Sequence, residues 1–140
     1  MAEVHRQFIG NGEVSYASLI LRTMNDFRKK GLLCDVTINV HGGRKFAAHC
    51  TVLAASSQYF RKLFTFDSRP RENFEVDLEW LYPEAMEDIL EYMYTGEIEL
   101  SENAEVILTA AAYFFIEGLP DVVIEFMQEH LNLYNCFSIL

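Results

Sequence analysis

The chain has 140 residues, 51% of them hydrophobic and 23% charged, and 11 Lys and Arg against 21 Asp and Glu leave a net charge of −10. That much apolar material supports one self-sufficient core and excludes a disordered chain. The acidic balance and the lack of any apolar run near the roughly 18 residues of a membrane span argue against nucleic-acid and membrane partners.

In chain order, Arg6–Ile9 reads as a short strand, and Gly10-Asn11-Gly12 as a flexible link after it. A strand on such a link can pair with its own sheet or with a partner's. Ser15 is placed to cap a helix and Gly31 to end it. Tyr16, Leu19, Ile20, Met24 and Phe27 form one apolar stripe at helical spacing, which either packs within a subunit or faces a second copy. Arg28, Lys29 and Lys30 sit in the last turn, where the helix dipole favours cations. Val36, Ile38 and Val40 alternate with polar residues as in a strand, and Gly42-Gly43 suits a two-residue hairpin turn before a return strand from Lys45. From Val52 to Phe64 the apolar spacing is three and four, so two short helices are expected, with Ser57 capping the second from Gln58 onward.

Phe66–Asn73 is a mostly polar loop. Phe74, Val76 and Leu78 then make a half-exposed strand. Pro83 opens a helix that Gly96 closes, with Met86, Ile89, Leu90 and Met93 inward. Glu97–Leu100 is a further short alternating segment. Ser101 is expected to cap a helix over Glu102–Ile116, with Val106, Ile107, Ala110, Ala111 and Phe114 on one side. Tyr113 and Phe115 fall outside that stripe, so cover on more than one side is expected. Gly118 and Pro120 introduce a last helix with Val123, Phe126, Met127, His130 and Leu131 inward. Asn135 can cap another, cut short at Leu140, and the protein is expected to continue. The sum is one α+β domain.

Charge is also segregated. All 11 basic residues lie in positions 1–71, and positions 72–140 carry 16 of the acids with no Lys or Arg. That half is either a solvated acidic surface or a face that steers a basic protein. Cys34, Cys50 and Cys136 lack zinc or disulfide spacing and read as buried free thiols. The start, Met1–Phe8, lacks a signal-peptide pattern, and an intracellular protein, cytoplasmic or nuclear, is expected. Asp35, His49 and Ser56 or Ser57 have the types of a hydrolase triad but no nucleophile elbow. His41, His49 and Cys50 do not converge as metal ligands, Glu97 and Glu99 read as solvated, and no phosphate loop occurs. No catalytic residue, metal or cofactor is expected.

Several pieces in order carry a resemblance: Phe27-Arg28-Lys29-Lys30, Leu33-Cys34-Asp35-Val36, Phe46-Ala47-Ala48-His49, Val52–Ser57, Tyr59-Phe60, Pro83-Glu84-Ala85 and Tyr92–Gly96. Together they resemble the BTB/POZ domain, a protein-interaction fold. Leu131-Asn132-Leu133 and Asn135-Cys136 look like the join to the helical box of Kelch-like proteins, so the resemblance implies a BTB/POZ domain over 1–131 and the start of that box over 132–140. It implies a homodimer through Phe8, Tyr16, Leu19, Ile20, Thr23, Met24 and Phe27. It also implies a cullin-3 surface at Tyr59, Leu63, Phe64, Phe66, Tyr94 and Asn135, as in the substrate adaptors of cullin-3 ubiquitin ligases. Two departures stand out. The loop after Phe64 lacks the family's apolar-x-Glu, which favours a scaffold dimeriser without ligase recruitment. Cys50 replaces the basic residue that pairs with an aspartate, here Asp35, in BTB zinc-finger repressors. A transcription-regulator dimer remains a third reading, favoured by the Arg6–Ile9 strand.

Overall fold

In a computed structural model, the described residues are 2–5, by their backbone alone, 15–67 and 74–130. Strand β1 (Ala2–His5) runs antiparallel to β5 (Ile98–Leu100), with Ala2 opposite Leu100 and Glu3 opposite Glu99. This strand precedes the one expected at Arg6–Ile9, which lies outside the described residues. Helix α1 (Tyr16–Lys30) starts where expected, since the Ser15 hydroxyl accepts from Ser18 N–H at 3.1 Å. It stops at Gly31, whose φ of +74° turns the chain so that Leu32 N–H reaches Phe27 O at 2.8 Å.

The central sheet has the order β3-β2-β4, with β2 (Val36–Val40) antiparallel to β3 (Lys45–Ala48) and parallel to β4 (Phe74–Leu78). The turn between β2 and β3 is longer than the expected Gly-Gly pair. Val40 N–H donates to Arg44 O at 2.9 Å across a three-residue turn, His41–Gly43, with both glycines at φ +79°. His41 joins the turn because its N–H is held by Leu81 O at 2.9 Å.

Helices α2 (Cys50–Ser56) and α3 (Gln58–Phe66) pair beside the sheet. Ser57 between them caps α3 by accepting from Phe60 N–H at 3.2 Å, as expected, and donates to Phe114 O at 2.6 Å. Helix α4 (Pro83–Thr95) lies at the centre, against α1, α2, α5 and β5. Its buried set includes Met86, Ile89, Leu90 and Met93.

Helix α5 (Ala104–Phe114) begins and ends inside its expected bounds. Asn103 Oδ1 takes Ser101 N–H at 2.7 Å, which makes a turn there instead of a cap. At the far end Ile116 leaves the helix to bridge Ser57, with Glu117 N–H on Ser56 O at 3.1 Å, and Phe115 takes a left-handed φ of +51°. Phe115 is exposed and Tyr113 only half-covered, by Tyr59 and Trp80, so the described residues do not supply the full second cover expected over α5. Helix α6 (Leu119–His130) closes the domain and buries Val122, Val123 and Phe126. No helix among the described residues is long and apolar enough to cross a membrane.

Candidate functional site

Two surfaces stand out, and the first is α1. An amphipathic helix ordinarily turns its apolar stripe to the core. Here the order is reversed. Tyr16 is 78% exposed, Leu19 52% and Ile20 44%, and Thr23 is exposed beside them. Met24 and Phe27 are half-buried, with Met24 packed on the core. Phe8, also expected on this face, lies outside the described residues.

The buried residues of α1 are polar: Asn25 and Arg28. Arg28 Nε donates to Asn25 Oδ1 at 2.8 Å and its Nη2 to Glu91 Oε1 of α4 at 3.1 Å. Asn25 Nδ2 donates to Glu91 Oε2 at 3.1 Å, and the guanidinium lies 5.2 Å from the centre of the Tyr94 ring. Charge-assisted hydrogen bonds thus fix α1 to α4, and the apolar stripe is left free to be covered by something else.

The second surface is a groove of about 340 Å³ between α3 and the end of α5, lined by Gln58, Tyr59, Lys62, Leu63 and Phe115. Tyr59 packs against Tyr113, Phe114 and Phe60 with ring centres 5.1–5.3 Å apart. Burial, then the neighbouring Tyr113 hydroxyl, raises its hydroxyl above the ordinary tyrosine range. Leu63 is half-buried at the groove, and Phe66 stands 80% exposed at the end of α3.

Two residues expected on this surface are beneath it. Phe64 is 3% exposed, stacked on Phe60 and edge-on to Phe74. Tyr94 is 0% exposed. Both are corrected to core residues. The reason is spacing: Phe60 and Phe64 are four apart and share the inward face of α3, and α4 is central. Asn135 lies outside the described residues. Sequence reasoning missed Phe115, Gln58 and Lys62. The signal for Phe115 was its place off the α5 stripe.

Between the two surfaces runs a buried polar connection. His49 N–H donates to the Tyr94 hydroxyl at 3.0 Å, and Nδ1 lies 2.7 Å from that oxygen. His49 Nε2 is 3.0 Å from Leu32 O, which can only accept. The proton of the neutral ring therefore belongs on Nε2, and the Tyr94 O–H donates to Nδ1. Asp35 accepts from Cys50 N–H at 2.8 Å and from its thiol at 3.1 Å. The aspartate that pairs with a basic side chain in repressors is thus occupied by Cys50.

No triad assembles from these residues. The Ser56 hydroxyl donates to Val52 O and that of Ser57 to Phe114 O, while the His49 nitrogens face Tyr94 and Leu32. His41 packs instead on Tyr82, with ring centres 4.5 Å apart. Cys50 is buried, whereas Cys34 is only partly buried, a correction to its expected full burial. Desolvation, then the Asp35 charge, pushes the Cys34 thiol above its usual range, away from reactivity. Cys136 lies outside the described residues.

The comparisons agree with this geometry. The BTB/POZ domain family model matches residues 24–131. Kelch-like protein 24 of Rattus norvegicus is 36% identical over 136 residues, 96% of this chain and 22% of its own length. Kelch-like protein 7 of Mus musculus is 32% identical over 138 residues, 98% of this chain and 23% of its own length. The chain therefore spans about a fifth of these relatives (22–23%). The BTB domain of zebrafish PATZ1 superimposes with a TM-score of 0.73 at 27% identity, over 89% of this chain and 98% of that one. A family model over most of the chain, relatives at 32–36% identity and a shared fold together show that the chain belongs to the BTB/POZ domain family.

Proposed function

We propose that this protein-interaction domain works as a homodimer joined through the α1 face and serves as the adaptor part of a cullin-3 ubiquitin ligase. The observation that carries the dimer is the outward apolar stripe of α1, held that way by Arg28, Asn25 and Glu91. Burying the exposed parts of Tyr16, Leu19 and Ile20 against a second copy contributes about 1 kcal/mol for each half-exposed side chain, repeated by symmetry on both chains. The fold is that of an interaction module and not of an enzyme family.

The groove between α3 and α5 is the cullin-3 surface in this reading, with Tyr59, Leu63 and Phe66 from the expected set and Phe115 added. Its support is an aromatic floor at Tyr59 with half-buried Leu63 and exposed Phe115 beside it and Gln58 and Lys62 at the rim, the anatomy of a hot spot that accepts an apolar anchor. Phe64 and Tyr94 act only by holding that floor from below. In this reading residues 132–140 belong to the next domain, and substrates are held outside this one. Calorimetry with the N-terminal part of cullin-3 tests this. Leu63→Asp and Phe115→Asp are expected to weaken binding more than about tenfold while leaving the dimer intact. Unchanged affinity in both variants refutes the assignment.

A second reading, a dimeric transcription regulator or a scaffold, is favoured by β1 and by the missing apolar-x-Glu after Phe64. Strand β1 adds to β5 as a separate two-stranded sheet, and the same antiparallel pair can form between copies.

A further inference from the structure

Trp80 is the chain's single tryptophan, and it stands in the connection between β4 and α4 with 47% of its surface in water. Its ring meets Tyr113 of α5 edge to face with centres 5.0 Å apart, and Tyr113 is itself 48% exposed. Tyr82, 55% exposed, lies two residues on, past the buried Leu81, with the His41 ring against it. Trp80 and Tyr113 are thus in contact at the surface where the segment after β4 meets α5, and Tyr82 adds a third exposed ring in the same short segment as Trp80. A gathered, rimmed apolar patch of this kind marks an interaction surface.

The charge around it selects the occupant. Glu79 and Glu84 are exposed on either side of the Trp80–Tyr82 segment, whereas Glu75 and Asp77 on β4 are held by Asn39 Nδ2. Every charged residue from position 72 onward is acidic. Lys62 is a groove wall beside Tyr59, at the far side of Tyr113. Aromatic faces and carboxylates share one preferred guest: a planar cation that stacks on a ring and donates hydrogen bonds to an acid.

We propose that the Trp80–Tyr82–Tyr113 surface binds an arginine-rich, extended segment of a partner protein, with guanidinium groups stacked on the rings and paired with Glu79 and Glu84. This site is separate from the α1 face and flanks the α3–α5 groove, so a dimer can carry two such segments while engaged elsewhere.

The test uses the purified dimer and a synthetic peptide with four arginines spaced by Gly and Ser. Because Trp80 is the sole tryptophan, its emission reports the site directly. A saturable change in emission is expected at physiological salt, with no change for the same peptide carrying Glu in place of Arg. Calorimetry is expected to show affinity falling about tenfold in Trp80→Leu and several-fold in the Glu79→Gln/Glu84→Gln pair, which keeps the rings in place. A lysine version of the peptide is expected to bind more weakly than the arginine one. Absence of a saturable emission change, or equal calorimetric affinity for wild type and both variants, overturns the proposal. The second result would mean that diffuse acidic charge holds the peptide. Failure here leaves the dimer reading untouched, since the α1 face uses none of these residues, and it leaves the cullin-3 reading to its own test at Leu63 and Phe115, which the Trp80, Glu79 and Glu84 variants do not alter.

Discussion

Replacing Tyr94 by Phe removes one oxygen and leaves the ring. That oxygen is the acceptor for His49 N–H at 3.0 Å and lies 2.7 Å from Nδ1 of the same residue. His49 is 5% exposed and Tyr94 0%, so water cannot replace the lost partner. An orphaned buried donor costs about 1–3 kcal/mol and the lost bond to Nδ1 about 1 more, so Tyr94→Phe should lose about 2–4 kcal/mol in urea unfolding at fixed protein concentration. A loss below about 0.5 kcal/mol would refute the claim that this hydroxyl ties α4 to the end of β3. The same hydroxyl predicts a pH signature. Burial pushes its pKa up from 10.0 to about 12. The folded protein favours the neutral form, so the stabilising effect is complete below pH 10. It is lost across pH 10 to 12 as the unfolded chain ionises first, and it is absent above that window. The wild type should therefore lose its advantage over Tyr94→Phe across this window. A constant difference at every pH would contradict the assignment. Because the side chain offers no surface, cullin-3 affinity measured on the folded fraction should stay within about threefold of wild type.

The other predictions are shorter. Arg28→Met keeps the aliphatic stem but takes the guanidinium from Glu91 Oε1 and Asn25 Oδ1, while Asn25 Nδ2 and Lys29 stay on Glu91. Glu91 is 37% exposed, so the expected loss is about 2 kcal/mol, below the about 3–5 kcal/mol of a fully buried pair, and chemical denaturation measures it. Phe64→Ala opens a cavity among Phe60, Phe64 and Phe74 and should cost about 3–5 kcal/mol. A urea midpoint equal to wild type would place Phe64 on the surface after all. Removing residues 1–5 deletes β1, and if that strand is exchanged between copies the dimer melts at a lower temperature. An unchanged melting temperature removes the exchange.

Much of the fold was legible because the punctuation is local. Ser15, Gly31, Ser57, Pro83 and Gly96 act on their own neighbours, and their elements start and stop where those residues stand. The end of α5 was not legible, because it is set by Ser57, 57 residues away from Phe114 in the chain. A distant hydroxyl and a one-residue bridge to Ile116 override helical spacing that would carry the helix on. The direction of α1 was also hidden. Spacing identifies a stripe but not which way it points, and the contacts of Arg28 and Asn25 with Glu91 of α4 set that. On α3 the separation was present in the spacing and passed over: Phe60 and Phe64 share one side, while Tyr59 and Leu63 share another. Placing Tyr59, Leu63, Phe64 and Phe66 on one surface mixed core with exposed residues. The groove needed Phe115, whose left-handed backbone no local pattern announces.

The central claim is that a second copy covers the outward stripe of α1. Sedimentation equilibrium at low micromolar concentration tests it most directly, alongside a Leu19→Asp/Ile20→Asp variant whose far-UV spectrum matches wild type. The account predicts the mass of two chains for wild type and of one for the variant. A single-chain mass for wild type, or a dimer unmoved by the two charges, would contradict it.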